Sequence, residues 1–168
     1  MGNIYSVGIN KELSAKIDEQ GWNMPKLLYF IPCMAVSSGT WSATTSLITV
    51  LEEISAFQPE RLPGDGEEAW LDVKFQVDTL WLKEDGDDDR KFEYLLSMIG
   101  PHGNELLSSS SEFAFLRIRP RLRATMSISG IPAIAGILTL RLQYREITRG
   151  NLRPWSNPTD FPVEVNLS

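Results

Sequence analysis

The stretch KEDGDDDRK, residues 83–91, sets four aspartates and one glutamate in a short loop. Asp85, Asp87 and Asp89 follow the D-x-D-x-D spacing with which a helix–loop–helix calcium site begins. Such a loop needs glycine at its sixth position and a bidentate glutamate at its twelfth, and Arg90 and Leu96 stand there instead. The flanking segments also read as strands. The acidic loop 84–89 is therefore expected to be a solvated hairpin tip whose charge keeps a sheet edge soluble. A weak calcium site at one end of a sheet protein is the alternative, and only Asp65, Glu67 and Glu68 could add ligands from a second loop.

Other reactive residue types are scarce. Cys33 and His102 are the one cysteine and the one histidine. Together they cannot supply the three or four N/S ligands of a zinc site. Cys33 sits between apolar neighbours, where a buried thiol is inert, and His102 lies in the turn GPHGN. No glycine-rich phosphate loop or dinucleotide fingerprint is present. The expectation is a non-enzyme with no catalytic residue, no metal, no cofactor and no small-molecule substrate.

The segment FLRIRPRLRATMSI offers a different chemistry. Arg117, Arg119, Arg121 and Arg123 alternate with Leu116, Ile118 and Leu122, so one continuous strand would project four guanidinium groups from one surface. Pro120 places that strand at a sheet edge. Arg141 and Arg145 alternate in the same way and extend the patch if the two strands pair. Planar bidentate donors suit carboxylates and phosphates. These four arginines are the expected partner-binding residues, facing an acidic protein or a second copy of the chain. Pairing with the protein's own acidic strands, through Asp72 and Asp78, is the competing reading. A nucleic-acid or other anion binder is a further alternative, disfavoured because the acidic part of the chain repels a phosphate backbone.

The charge is segregated along the chain. Residues 52–93 carry 14 acidic and 5 basic side chains, and residues 117–153 carry eight arginines against Glu146 alone, within a net charge of −6. Either the fold has two faces of opposite potential, or the two segments meet in it.

The elements that must position these groups follow a period of two. In AWLDVKFQVDTLWL, Leu71, Val73, Phe75, Val77 and Trp81 alternate with polar residues, as Phe92, Tyr94, Leu96 and Met98 do in KFEYLLSM. With the acidic loop between them, the two segments read as an antiparallel hairpin. Residues 26–36, 44–57, 136–144 and 161–167 read as further strands, with Pro32 marking an edge or a bulge in the first. Loops are expected at 58–68 and 149–160, which are rich in Pro, Gly and Asp or Asn. Residues 10–21, with Leu13 and Ile17 four apart, predict a short helix from Asn10 to Gly21. The whole reads as an N-terminal segment, 1–24, and one mainly β domain, 25–168, an antiparallel β-sandwich of about 7–8 strands.

With 168 residues, 42% hydrophobic and 23% charged, the composition is that of a globular protein. No apolar run reaches the roughly 18–20 residues of a transmembrane helix. A lone cysteine and a polar first stretch lead to a cytoplasmic expectation. SLITVLEEI (46–54), LWLKEDGDDDRKFEYLLSMIGPHGNEL (80–106) and GIPAIAGILTLRL (130–142) resemble a bacterial family of small proteins catalogued only as a domain of unknown function. That resemblance implies a C2-like or immunoglobulin-like sandwich and transfers no site residues. The resulting expectation is an interaction or structural accessory module, with a calcium-dependent C2-like membrane-binding module as an alternative.

Overall fold

Alternating apolar side chains can bury one face of a strand only if a second layer covers that face, and here two sheets do so. The computed structural model describes residues 24–38, 45–57, 69–87, 90–117, 119–148 and 151–168. The predicted helix at 10–21, the boundary at residue 24 and the loop at 58–68 lie outside the described residues, apart from Met24. The described chain is mainly β, and none of its helices is long and apolar enough to cross a membrane.

The strands are β1 (Lys26–Ser38), β2 (Thr45–Val50), β3 (Glu53–Ala56), β4 (Trp70–Leu82), β5 (Lys91–Ile99), β6 (Glu105–Ala114), β7 (Arg121–Pro132), β8 (Gly136–Thr148), β9 (Asn151–Leu152) and β10 (Thr159–Leu167). The first sheet runs β2-β1-β4-β7 and the second β3-β10-β8-β5-β6, with β9 also on β8. Every pairing is antiparallel except β10 with β3. Leu71, Phe75, Val77 and Trp81 of β4 share one buried cluster with Phe92, Leu96 and Met98 of β5, Leu138, Leu140 and Leu142 of β8, and Val163 and Val165 of β10. Trp81 joins the layers: its ring centroid lies 4.8 Å from that of Tyr144, edge-on, and 5.0 Å from that of Phe113.

The inward faces are therefore those the alternation indicates, with Val73 and Tyr94 only half-buried. The pairing is not. β4 lies between β1 and β7, and β5 lies between β8 and β6, so the expected hairpin over 70–99 does not form. The acidic loop instead carries the chain from one sheet to the other. Period two fixes which face of a strand is buried and says nothing about its neighbour. The hairpin at this place joins β5 to β6 through GPHGN, where the Gly100 and Gly103 amides donate to Asn104 O and Gly100 O at 2.8 and 2.9 Å. β6 has no counterpart in the sequence reading, because Ser108–Ser111 erase its alternation and most of its side chains are exposed.

The expected single strand at 44–57 divides in two. Thr49 takes a positive φ of 53°, Leu51 turns inward, and the chain passes from β2 in the first sheet to β3 in the second. Pro32 occupies an interior strand without breaking it. Its carbonyl accepts from Leu51 N at 2.9 Å, just beyond the last β2 pair at Val50. In an antiparallel strand the N and O of one residue point the same way. The missing Pro32 N–H thus faces the end of β2, and the β4 ladder loses nothing.

Candidate functional site: the arginine segment and the acidic crossing

The four-arginine ladder does not form as one strand. β7 begins at Arg121, and Arg117 and Arg119 lie in the connection from β6, where Arg119 N closes a turn onto Leu116 O at 3.0 Å. Only Arg121 and Arg123 share a strand. That strand is an edge, as Pro120 indicated. Arg141 and Arg145 sit on β8 in the other sheet, so they do not extend the patch.

Arg123 is drawn into the fold. Thr125 lies directly opposite Asp78, and Arg123 and Tyr29 both lie opposite Leu80, so all face away from the core on one side of the first sheet. Asp78 is nevertheless fully buried (0% exposed). Its carboxylate accepts from Tyr29 Oη at 2.8 Å, from Thr125 Oγ1 at 2.8 Å, and from Arg123 Nε and Nη2 at 2.9 and 2.8 Å. Arg123 also donates to the Tyr29 hydroxyl and lies over its ring, 5.8 Å from the centroid. Burial pushes the Tyr29 phenol up to about 12, and the bond it donates to the Asp78 carboxylate adds to the rise. Cys33, opposite Gln76 on this same face, is buried, and that burial raises its thiol. Of the two acids expected to meet the arginines, Asp78 does so, whereas Asp72 is exposed.

Arg141 and Arg145 are likewise held internally. Arg141 forms a fork with Asp160, 2.8 Å at each oxygen, and holds that carboxyl below its usual range. Arg145 donates to Glu93 at 2.8 Å and stacks 4.0 Å from the ring centroid of Trp155. Trp155 is positioned because Ser156 bonds back to Tyr144, through its amide at 2.8 Å and its hydroxyl at 3.0 Å.

The acidic loop is a solvated turn only in part. Gly86, at φ 93°, turns the chain, Asp85 faces solvent, and Asp87 is fully buried. Asp87 accepts from Glu84 N at 2.8 Å and from Arg90 Nη1 at 2.7 Å. Arg90 reaches onward to Glu146 on β8 with two bonds of 2.9 Å and lies 5.1 Å from the Phe92 ring centroid. Burial raises the Asp87 carboxyl, whereas the Arg90 bonds hold Glu146 low. This carboxylate is occupied by the protein itself, which leaves it unsuited to a cation. Among the described residues no group of three or more His, Cys, Asp or Glu side chains could hold a metal ion.

The two charged connections are neighbours at one end of the molecule. Lys83 donates from its amide to Pro120 O at 2.8 Å and from Nζ to Arg117 O at 3.0 Å. Arg117, Arg119 and Arg121 are exposed there, beside Leu116. Sequence reasoning missed Tyr29, Arg90 and Glu146. For the last two a signal existed, since Glu146 is the one acid of the arginine-rich segment and Arg90 a cation directly after the acidic run. No family model matches this chain, and no significant match to a curated protein is found.

Proposed function

We propose that this chain is a C2-like or immunoglobulin-like β-sandwich working as a non-catalytic interaction module for an acidic protein partner, bound through Arg117, Arg119 and Arg121. One contrast carries the reading. Arg123, Arg141 and Arg145, which lie on strands, are neutralised by Asp78, Asp160 and Glu93. Arg119 and Arg121, by contrast, are exposed, and no ion pair joins either to an acid among the described residues. Exposed guanidinium groups beside an apolar Leu116 fit a surface that combines carboxylate recognition with area burial. Asp85 on the adjacent connection disfavours a phosphate backbone. The non-catalytic part rests on occupied groups: Asp87 and Glu146 are bound to Arg90, and Cys33 is buried. A cytoplasmic location, where a lone thiol stays reduced, completes the reading.

Immobilised poly-L-glutamate tests it, because a chain of net charge −6 is retained there only through a local basic surface. At physiological salt the wild type should be retained more strongly than on a single-stranded oligonucleotide column. Arg117→Glu with Arg119→Glu should weaken retention about tenfold. Equal retention of variant and wild type, or a preference for the oligonucleotide, would overturn the proposal.

A further inference from the structure

β7 is bonded by β4 along one side, and no strand among the described residues bonds the other. Sheet edges are usually guarded by charge, proline or a bulge. On β7 the guards stand at the ends, with Pro120, Arg121 and Arg123 at one and Gly130 (φ 83°) and Pro132 at the other. Ala124–Ser129 between them has neither charge nor proline. The inward row of β7, Leu122, Ala124, Met126 and Ile128, is wholly apolar and only half-buried. The β6 edge differs, since Ser109 and Ser111 interrupt its inward row. β2 and β3 are shorter, at 6 and 4 residues.

The pattern of β7 complements itself. With two copies of 121–129 antiparallel about Thr125, Leu122 meets Ile128 and Ala124 meets Met126 on the inward side. On the outward side Arg121 meets Ser129, Arg123 meets Ser127, and Thr125 meets its own copy on the twofold axis. Like charges are nowhere opposed, and every inward pair is apolar. An axis at Arg123 would set guanidinium against guanidinium, and one at Ser127 would run the pairing into Gly130. We propose that two copies of this chain pair along β7 in this register, joining their four-stranded sheets into one continuous sheet through an isologous interface. The pairing draws on Arg121 of the proposed partner surface but involves neither Arg117 nor Arg119, so substitutions at those two residues separate it from binding of an acidic partner.

Register-specific cross-linking tests the proposal. Antiparallel neighbours have Cα atoms about 4.5–5.5 Å apart, within disulfide reach. Thr125→Cys should therefore give a disulfide-linked dimer on mild oxidation, and Ser127→Cys, which faces Arg123 of the second copy, should not. In sedimentation equilibrium Ser129→Glu should tighten the dimer and Ser129→Lys should weaken it about tenfold, the sign following the Arg121 opposite. Arg117→Glu with Arg119→Glu should leave the dimer unchanged, which separates this result from that of the poly-glutamate column. A wild type that sediments as a monomer at millimolar chain concentration would overturn the proposal, as would equal cross-linking of the two cysteine variants.

Discussion

Arg123 and Arg90 each join the acid-rich part of the chain to the arginine-rich part, and they do so in different settings. Arg123 belongs to the basic segment and reaches the acid of a neighbouring strand, Asp78, within one sheet. Arg90 is a cation of the acidic segment and reaches Glu146, the one acid of the basic segment, from a connection between sheets. Strand register sets the first node, because Thr125, Arg123 and Tyr29 reach Asp78 only when β1, β4 and β7 are paired. The second fixes the path of a crossing that has no ladder to hold it. The same charge-assisted bonds thus clamp an edge strand in one place and aim a loop in the other.

The largest expected effect is that of Arg123→Ala, which leaves the buried Asp78 carboxylate without its cation and should cost about 3–5 kcal/mol. Amide exchange should then accelerate along β7 and stay slow near residues 84–90. Arg90→Ala should cost about 3 kcal/mol and show the reverse pattern, with the crossing opened and β7 still protected. Identical exchange maps for the two variants would erase the distinction between the nodes.

Glu146→Gln should cost about 2 kcal/mol at neutral pH. Because the folded Glu146 carboxyl is held low, its stabilisation is complete above the ordinary glutamate value of about 4.3 and is lost as pH falls through the folded value. The penalty of this variant should therefore shrink in acid. Asp87, whose carboxyl is raised, slopes the other way, so Asp87→Asn should be costlier in acid than at neutral pH. Denaturant midpoints measured across the acid range would show the two slopes, and parallel slopes would contradict the assignment.

Tyr29→Phe removes one of the donors to Asp78 and should cost about 1 kcal/mol. Absorbance titration of the wild type should contain a phenol ionising near about 12 that this variant lacks. The smallest effect, below about 0.5 kcal/mol, is expected of Arg119→Ala with Asp85→Asn, since both side chains are exposed. A larger loss would place these residues in a third node and remove them from the surface offered to a partner.

The inward set from Leu71 to Trp81, the run Leu138, Leu140 and Leu142, and the edge character beside Pro120 could all be read from the sequence, because a period of two and a missing N–H are local properties. The segregation of charge was equally legible, down to the alternative that its two halves meet. Which strands lie side by side was decided only in the tertiary structure. β4 and β5, adjacent in sequence, went to different sheets, and the serines of β6 concealed an edge strand. With β4 placed between β1 and β7, Asp78 gained Tyr29, Arg123 and Thr125 from chain positions as far as 49 residues away. The solvated reading of Asp87 failed for the same reason. Its burial depends on Arg90 reaching a strand 56 residues onward, and no local pattern encodes such a contact.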